Sequence, residues 1–157
     1  IILLKETRVP SKVLNISECS SLALHAARAV ARAGSPMTAE RIAGAAGVSR
    51  HHLSKALRKM VEAGIISSSR GPNGGFFFTE EQKRLPLMRI MDATGSGEAK
   101  CPCMFDTPRC GGNDCLFGTL LKDANRLYNS YFSKTRISDL ARKQKQTKQR
   151  KTSWQRK

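Results

Sequence analysis

Residues 38–57, with the sequence TAERIAGAAGVSRHHLSKAL, carry the strongest structural signal in the chain. Thr38 is a favourable N-cap for a helix that ends near Gly47, and Gly47 tolerates the left-handed backbone of a tight turn. Val48 can plug the core beneath that turn, and Ser49 can cap the helix that follows. Two short helices joined in this way predict a helix-turn-helix.

The second helix of this motif is predicted over residues 50–63, with Gly64 as its stop. The residues expected on its buried side are Leu53, Leu57, Met60 and Val61. In such motifs the residues near the N-terminus of the second helix reach base edges and phosphates in the major groove. The expected DNA contacts are therefore Ser49, Arg50, His51, His52, Ser54, Lys55 and Arg58, together with Thr38. An ordinary solvated helix face is the alternative.

An amphipathic helix is predicted ahead of the motif, over residues 18–33. The residues expected on its buried side are Leu22, Ala26, Ala29, Val30 and Ala33. The opposite face carries His25, Arg28 and Arg32. An isolated histidine on a polar helix face has no metal partner in the sequence, so we assign no role to His25.

A β-hairpin is predicted directly after the motif. Residues 65–70 and 76–79 are strand-like, and the intervening GPNGG at 71–75 fits a reversing turn. A hairpin in this position predicts a wing. Arg70 lies at its edge among glycines, where an arginine can enter the minor groove, although a surface salt bridge is the alternative.

Two more helices are predicted further along the chain. A short helix that Gly95 ends has on one side Leu87, Ile90, Met91 and Thr94. A longer helix carries a stripe of Phe117, Leu120, Leu121, Ala124, Leu127, Tyr128 and Tyr131. One small domain has little left to cover this stripe, so a second subunit is the expected cover. Packing back against the first helix is the alternative.

The chain is strongly basic, with 28 lysines and arginines against 12 acidic residues among 157 and a formal net charge of +16. This surplus favours a polyanionic partner, and because no lipid-facing helix accompanies it we expect double-stranded DNA rather than a membrane. Residues 141–157 contain eight bases and no acid. We expect this tail to be disordered and to add salt-sensitive affinity for DNA, unless it serves only solubility.

The sequence contains no motif that predicts an enzyme. It has no nucleotide-binding glycine motif, no serine-histidine-acid set and no paired carboxylates in a plausible pocket, so neither catalysis nor a small-molecule substrate is expected. The apolar run at residues 1–4 is too short for a signal peptide, and the apolar stretch at 22–33 is interrupted by charges. We therefore expect a cytoplasmic protein.

Four of the five cysteines are grouped in a glycine-containing loop, at Cys101, Cys103, Cys110 and Cys115. In a reducing compartment such a group indicates metal or redox chemistry rather than structural disulfides. Thiolates separated by flexible residues can bind tetrahedral zinc or an iron-sulfur cluster, and the spacing alone does not choose between them. A metal-free set of redox thiols is the third reading.

The motif and hairpin together resemble the Rrf2 family of bacterial transcriptional regulators, of the IscR and NsrR type. The resembling stretches are TAERIA at 38–43, GVS at 47–49, EAG at 62–64, SRG at 69–71 and the glycine pair at 74–75. The resemblance covers roughly residues 14–142. It implies a homodimer in which a long helix crosses to the other subunit, and residues 117–131 are similar to that helix. It also implies an iron-sulfur cluster whose state changes affinity for promoter DNA.

The resemblance extends to the ligands of such a cluster. By position, the three cluster cysteines of the family match Cys103, Cys110 and Cys115, which leaves Cys101 as a spare. Gly118 stands where the IscR branch has a histidine ligand, and Ser21 stands nearest to where other branches have an acidic one. The candidates for a fourth ligand are therefore Cys101, Cys19 and Glu98.

We expect a mainly α fold with a small β-hairpin, made of a winged helix-turn-helix domain and a long dimerisation helix. The expected divisions are a DNA-binding domain at 12–94, a cysteine-rich loop at 95–115, a dimerisation region at 116–140 and the basic tail at 141–157. The expected function is that of a repressor whose iron-sulfur cluster, 2Fe-2S or 4Fe-4S, senses redox state, nitric oxide or iron. The alternatives are a cluster-free or zinc-containing regulator of the same family and, from another class, an iron-sulfur redox protein.

Overall fold

A computed structural model describes residues 16–100, 103, 115 and 117–142, which form a mainly helical fold with one β-hairpin. In chain order its elements are α1 (Glu18–Ala33), α2 (Ala39–Ala46), α3 (Arg50–Glu62), β1 (Ser67–Ser69), β2 (Gly75–Phe77), α4 (Glu80–Lys83), α5 (Met88–Thr94), α6 (Leu120–Lys134) and a C-terminal 3-10 helix (Ile137–Ala141). None of the helices in these described ranges has the length and apolarity needed to cross a membrane.

Helix α1 is the central element of the core. It begins at the N-cap Ser17, whose hydroxyl accepts a hydrogen bond from the amide of Ser20, and it ends at Gly34 in a left-handed conformation. α1 packs on α2, α3, α5 and the 3-10 helix, and its contact with α3 is the most extensive. The predicted bounds of α1 are confirmed, but Ala33, expected on the buried side, is exposed together with its neighbours Arg32 and Gly34 at the end of the helix.

Helices α2 and α3 form the predicted helix-turn-helix. Leu53, Leu57 and Met60 are buried against α1 and α5, together with Ala56. Val61 was expected to share this side, but 36% of its surface is exposed. Val61 lies in the last turn of α3, where Glu62, Ala63 and Gly64 are exposed as well, so the core does not cover this end of the helix.

The hairpin is shorter than predicted. β1 pairs antiparallel with β2 in the register Ser67↔Phe77, Ser68↔Phe76 and Ser69↔Gly75. Ile65 and Ile66 lie outside β1 because their amides both donate to the carbonyl of Met60, which continues the turn at the end of α3. Both isoleucines are fully buried there, so they anchor the start of the hairpin in the core.

The end of the hairpin is also earlier than predicted, because Thr79 starts a helix instead of ending a strand. Its hydroxyl accepts from the amide of Gln82, and the Gln82 side chain accepts from the amide of Thr79, which completes a capping box for α4. The sequence analysis did not predict this four-residue helix.

One side of α6 packs back on the core and the other does not. Tyr128 and Phe132 belong to the main hydrophobic cluster with α1, α3 and α5, and Ile137 of the 3-10 helix is fully buried in it. Leu121 is also buried. Three other large side chains of the predicted stripe are exposed in this single chain, namely Leu120, Leu127 and Tyr131, while Phe117 is half-buried ahead of α6.

Candidate nucleic-acid interface

The turn between α2 and α3 fixes where the second helix begins. Gly47 adopts φ 67°, and its amide donates to the carbonyls of Ala43 and Gly44, which closes α2. The hydroxyl of Ser49 then accepts a hydrogen bond from the amide of His52 at 3.4 Å, so α3 starts at Arg50. Thr38 caps α2 in the same way, with its hydroxyl 3.3 Å from the amide of Arg41.

The face of α3 that looks away from the core is polar and exposed along its length. The predicted contact residues on this helix and its cap are all exposed, namely Ser49, Arg50, His51, His52, Ser54, Lys55 and Arg58. Thr38 is exposed as well, at the N-terminal end of α2. The motif thus presents a continuous hydrogen-bonding surface with an excess of positive charge at the start of α3.

Two arginines on this face have acidic partners. The Arg50 guanidinium lies 2.9 Å from the carboxylate of Glu40 on α2, and Arg58 lies 2.7 Å from Glu62 one turn further along α3. The hydrogen bond that Arg58 donates to Glu62 raises the pKa of Arg58. All four side chains are more than half exposed, so these pairs contribute little to stability and can exchange for phosphate partners.

His52 links α3 to the start of α1. Its Nδ1 lies 3.8 Å from the carboxylate of Glu18. The two helices leave a cleft of about 410 Å³ beside this contact, lined by Ser17, Glu18, Cys19, Leu22, His51, His52 and Lys55. The first turn of α1 therefore adjoins the part of α3 expected to enter DNA, a neighbour that the sequence analysis did not identify.

The wing is held against the motif by the backbone. The amide of Met37 donates to the carbonyl of Phe76 at 3.0 Å, and the amide of Phe76 donates to the carbonyl of Met37 at 2.8 Å. Gly75 beside this bridge has φ 148°, and a Cβ there would lie 2.5 Å from the Met37 carbonyl oxygen. Only glycine therefore allows β2 to approach so closely.

Arg70 is exposed at the turn of this hairpin. Next to it, the amide of Gly74 donates to the carbonyl of Gly71 at 2.9 Å, which closes the turn. The wing bridge is formed by Met37, and Met37 directly precedes Thr38, so Arg70 and the helix-turn-helix belong to one connected framework. Arg70 itself is separate from the α3 contacts, on a different element.

The cysteine-rich segment lies only partly in the described residues. Cys103 and Cys115 are half-buried, whereas Cys101, Cys110 and most of the tail at 141–157 lie outside the described residues. The amide of Gly118 donates to the carbonyl of Cys115 at 2.8 Å, so this thiol lies just before α6. In the part of the chain that is described, no three histidine, cysteine or acidic side chains converge to hold a metal ion.

The donor set of this segment fits an iron-sulfur cluster in chemical type, because thiolates are the usual ligands of such clusters. The fourth position is open to several groups. Gly118 has no side chain to offer, Ser21 is exposed on α1, and Glu98 is paired with Lys100 at 3.3 Å. Cys19, in the first turn of α1, is a half-buried thiol.

The segment that leads to the cysteines is fastened to α6. The amide of Ala99 donates to the side-chain oxygen of Asn129 at 2.8 Å, and the Asn129 amide group donates back to the Ala99 carbonyl at 3.1 Å. The residue before Asn129 is Tyr128, whose hydroxyl donates to the carbonyl of Ser96 at 2.9 Å. The start of the cysteine-rich segment is therefore hydrogen-bonded to α6, and its end at Cys115 lies shortly before α6 in the sequence.

Comparisons with known proteins agree with this architecture. Residues 16–143 match the family model Rrf2, described as an iron-dependent transcriptional regulator. The chain is also similar to the HTH-type transcriptional regulators IscR of Yersinia pseudotuberculosis and of Xenorhabdus nematophila, with 24% identity over 98 residues in each case. These alignments cover 62% of this chain and about three-fifths, 60%, of the length of each relative.

Two solved structures share the fold. CymR, the global cysteine regulator of B. subtilis, superimposes with a TM-score of 0.65 at 19% identity, covering 82% of this chain and 96% of CymR. IscR of T. potens superimposes with a TM-score of 0.58 at 17% identity, covering 81% of this chain and 85% of that protein. Both likenesses support the winged-helix architecture described above.

Proposed function

The chain belongs to the Rrf2 family of transcriptional regulators, and we propose that it is a homodimeric repressor that binds promoter DNA through its winged helix-turn-helix. The observation that carries this proposal is the exposed, basic N-terminal half of α3, which follows a capped turn and has its apolar side buried in the core. A helix held this way projects the polar side of its N-terminal half, as insertion into a major groove requires.

Each contact residue has a role that follows from its position. Arg50 and Lys55 can bind guanine edges or phosphates, and His51 and His52 can donate hydrogen bonds or stack. Ser49 and Thr38, at two helix N-termini, are suited to phosphates because the first amides of a helix attract anions. Ser54 lies one turn after Arg50 and Arg58 lies two turns after it, within reach of the groove walls.

The wing supplies a second contact. Arg70 is exposed at a glycine-rich turn, where the backbone can approach the sugar-phosphate chain closely. Its guanidinium would enter the minor groove beside the half-site that α3 reads.

The dimer interface in this proposal is the exposed side of α6. Leu120, Leu127 and Tyr131 have 59%, 73% and 49% of their surface exposed, while Tyr128 and Phe132 on the other side are buried. An apolar row of this kind on one side of a helix is typical of a surface that a second subunit covers. A two-fold dimer would bind a partly palindromic site.

In the same proposal the cysteine-rich segment holds an iron-sulfur cluster through Cys103, Cys110 and Cys115, with Cys101 or Cys19 as fourth ligand. The cluster would supply a centre whose oxidation, nitrosylation or loss changes the ligand bonds. The protein would supply the response, because Ala99 and Ser96 are hydrogen-bonded to α6. A change in the segment would then alter how the two DNA-binding units are spaced.

The DNA-binding part is tested by fluorescence anisotropy with promoter fragments from the organism that encodes the full chain. We expect Arg70→Ala to weaken binding to a preferred site by roughly tenfold, and Lys55→Ala to do so while flattening the salt dependence. Arg89→Ala on α5 is the matched control, since Arg89 is exposed but lies on another element. Equal effects of all three substitutions would contradict a specific interface.

The cluster is tested by the visible absorption spectrum, iron content and acid-labile sulfide of protein purified without oxygen. A brown protein whose chromophore disappears in Cys115→Ala supports the cluster, with the intact protein as reference. A colourless protein that contains zinc would support a zinc-containing regulator, and one without metal would support a thiol regulator of the same family. Gly118 is the reason to keep these regulators without an iron-sulfur cluster as the second candidate, because it supplies no side chain at the position where the IscR branch has a histidine ligand.

A further inference from the structure

Four hydroxyl groups meet where α1 begins and α5 ends, and we call them the hydroxyl cluster: Ser17, Ser20, Thr94 and Ser96. The Oγ of Ser20 lies 2.7 Å from both Thr94 Oγ1 and Ser96 Oγ. The Oγ of Ser17 lies 2.8 Å from that of Ser20, and the Ser17 amide donates to Ser96 Oγ at 2.8 Å. Residues about 75 positions apart in the chain are thereby joined.

Three of its four members are buried, and Ser17 is half-buried. Ser20, Thr94 and Ser96 have 0%, 3% and 9% of their surface exposed, and they are the buried polar residues of the described part of the chain. A buried hydroxyl is costly unless it is hydrogen-bonded, so the contacts strongly favour one placement of α1 relative to α5. Apolar contacts alone are less selective, because they have no preferred direction.

Ser96 faces two ways. Its side chain bonds the first turn of α1, and its carbonyl accepts from Tyr128 on α6. Three residues later, Ala99 is bonded to Asn129 of the same helix. The start of the segment that leads to Cys103 is thus connected to α1 and to α6 at once.

The first turns of α1 in turn adjoin α3. Leu22 belongs to the same buried cluster as Leu53, and Glu18 lies 3.8 Å from His52. α5, on the other side of the hydroxyl cluster, also packs on α3. A displacement of α1 relative to α5 would therefore change the surface on which α3, the helix with the proposed DNA contacts, is packed.

We propose that Ser20, Thr94 and Ser96 are positioning residues for DNA binding, which transmit the state of the cysteine-bearing segment and of α6 to α3 through α1 and α5. This inference rests on the proposed function for its biological purpose. Its physical content is independent: the hydroxyl contacts, and not only apolar packing, hold the N-terminal half of α3 in one position.

The first test is amide hydrogen exchange of the full chain. Thr94→Val keeps the side-chain volume and removes the hydroxyl, whereas Thr94→Ser keeps the hydroxyl, and Ser21→Ala is the control because Ser21 is exposed on the same turn of α1. We expect Thr94→Val to speed exchange about tenfold in residues 50–55 as well as in 17–21, with Thr94→Ser and Ser21→Ala near the wild type. Faster exchange confined to 17–21 and 94–97 would overturn the proposal.

The second test is DNA affinity at one salt concentration. We expect Thr94→Val and Ser96→Ala to weaken binding by about fivefold to tenfold, with Thr94→Ser restoring it. Unchanged affinity in both hydroxyl-free variants would also overturn the positioning role. If the wild-type chain bound no promoter DNA, the proposed function would fail, while the exchange measurement would still decide whether the cluster holds α3.

Discussion

Arg50, the first residue of α3, is held by Glu40 of α2 at 2.9 Å across the turn of the helix-turn-helix. A hydrogen bond from the backbone at its own residue lowers the pKa of Glu40, and the charge of Arg50 lowers it further. The carboxylate therefore stays ionised, and a negative charge lies beside the surface expected to meet phosphates. In the proposed DNA complex, Glu40 would therefore compete with DNA phosphates for Arg50.

Replacing Glu40 by glutamine should raise DNA affinity. The change frees Arg50 and removes a charge that repels phosphates, so we expect binding about threefold tighter at low salt, with a smaller gain at high salt. Anisotropy titrations at several salt concentrations measure this effect. Glu81→Gln, an exposed carboxylate on α4, should change little, and weaker binding by Glu40→Gln would show that Glu40 orders Arg50 for DNA instead.

Alanine at Gly75 should destabilise the protein more than alanine at Gly71. Both glycines have positive φ, of 148° and 109°, but only at Gly75 would a Cβ collide with the backbone of Met37. We expect losses in the free energy of unfolding of about 2 to 3 kcal/mol for Gly75→Ala and about 1 kcal/mol for Gly71→Ala, measured by urea denaturation. Equal losses in the free energy of unfolding would show that the backbone contact between Met37 and β2 can move apart to accommodate a Cβ at position 75.

A charge at the centre of the exposed side of α6 should separate the subunits of the proposed dimer. Leu127 is 73% exposed in the single chain, so Leu127→Glu should leave the fold intact. We expect the substitution to weaken dimerisation at least about a hundredfold, because it would bury an unpaired charge in an apolar interface. Light scattering across a concentration series reports this change. Lys122→Glu, also exposed on α6, is the control, and a dimeric Leu127→Glu variant would contradict this interface.

Tyr128 should make stability depend on alkaline pH. Burial raises the pKa of its phenol, and the charge of Asp92 raises it further. Because the folded protein holds the proton more tightly than the unfolded chain, this contribution is full below the ordinary tyrosine pKa of about 10 and is lost as pH rises through the higher folded value.

Tyr128→Phe removes that contribution together with the hydrogen bond to Ser96. We expect the variant to be about 1 kcal/mol less stable at neutral pH, with the difference shrinking above about pH 10. Urea denaturation at a series of pH values measures both curves. Tyr131→Phe, whose ring is half exposed, is the control and should change stability little at neutral pH.

Much of the fold could be predicted because its signals are local. The cap Ser49 and the left-handed Gly47 define where α3 starts, and periodicity defines its buried side. Helix α4 was not predicted, because four residues are too few for periodicity. The spacing of Thr79 and Gln82 is that of a capping box and was the one signal available, and Gln82 is also fixed by a distant hydrogen bond to the carbonyl of Gly64. The exposure of Val61 depends on how closely α1 and α5 flank α3.

The exposed residues of the candidate interface could be predicted because their signals are local, whereas their contacts with other elements could not. Its exposed residues are neighbours in sequence on one helix, so composition and spacing identified them. The pairing of Arg50 with Glu40 depends on the angle between two helices. The contact of Ser20 with Thr94 joins residues 74 positions apart, and serine and threonine have no pattern that marks such a partner.

The two backbone hydrogen bonds between Met37 and Phe76 join the wing to the helix-turn-helix. This connection constrains the distance between Arg70 and the start of α3. In the proposed complex that distance would not adjust to differences in helical geometry between promoters. In the proposed complex the DNA would adapt to this spacing, and the energy of that adaptation depends on sequence steps that no side chain contacts. Base pairs lying between the two contacts should therefore influence affinity through groove width and flexibility alone.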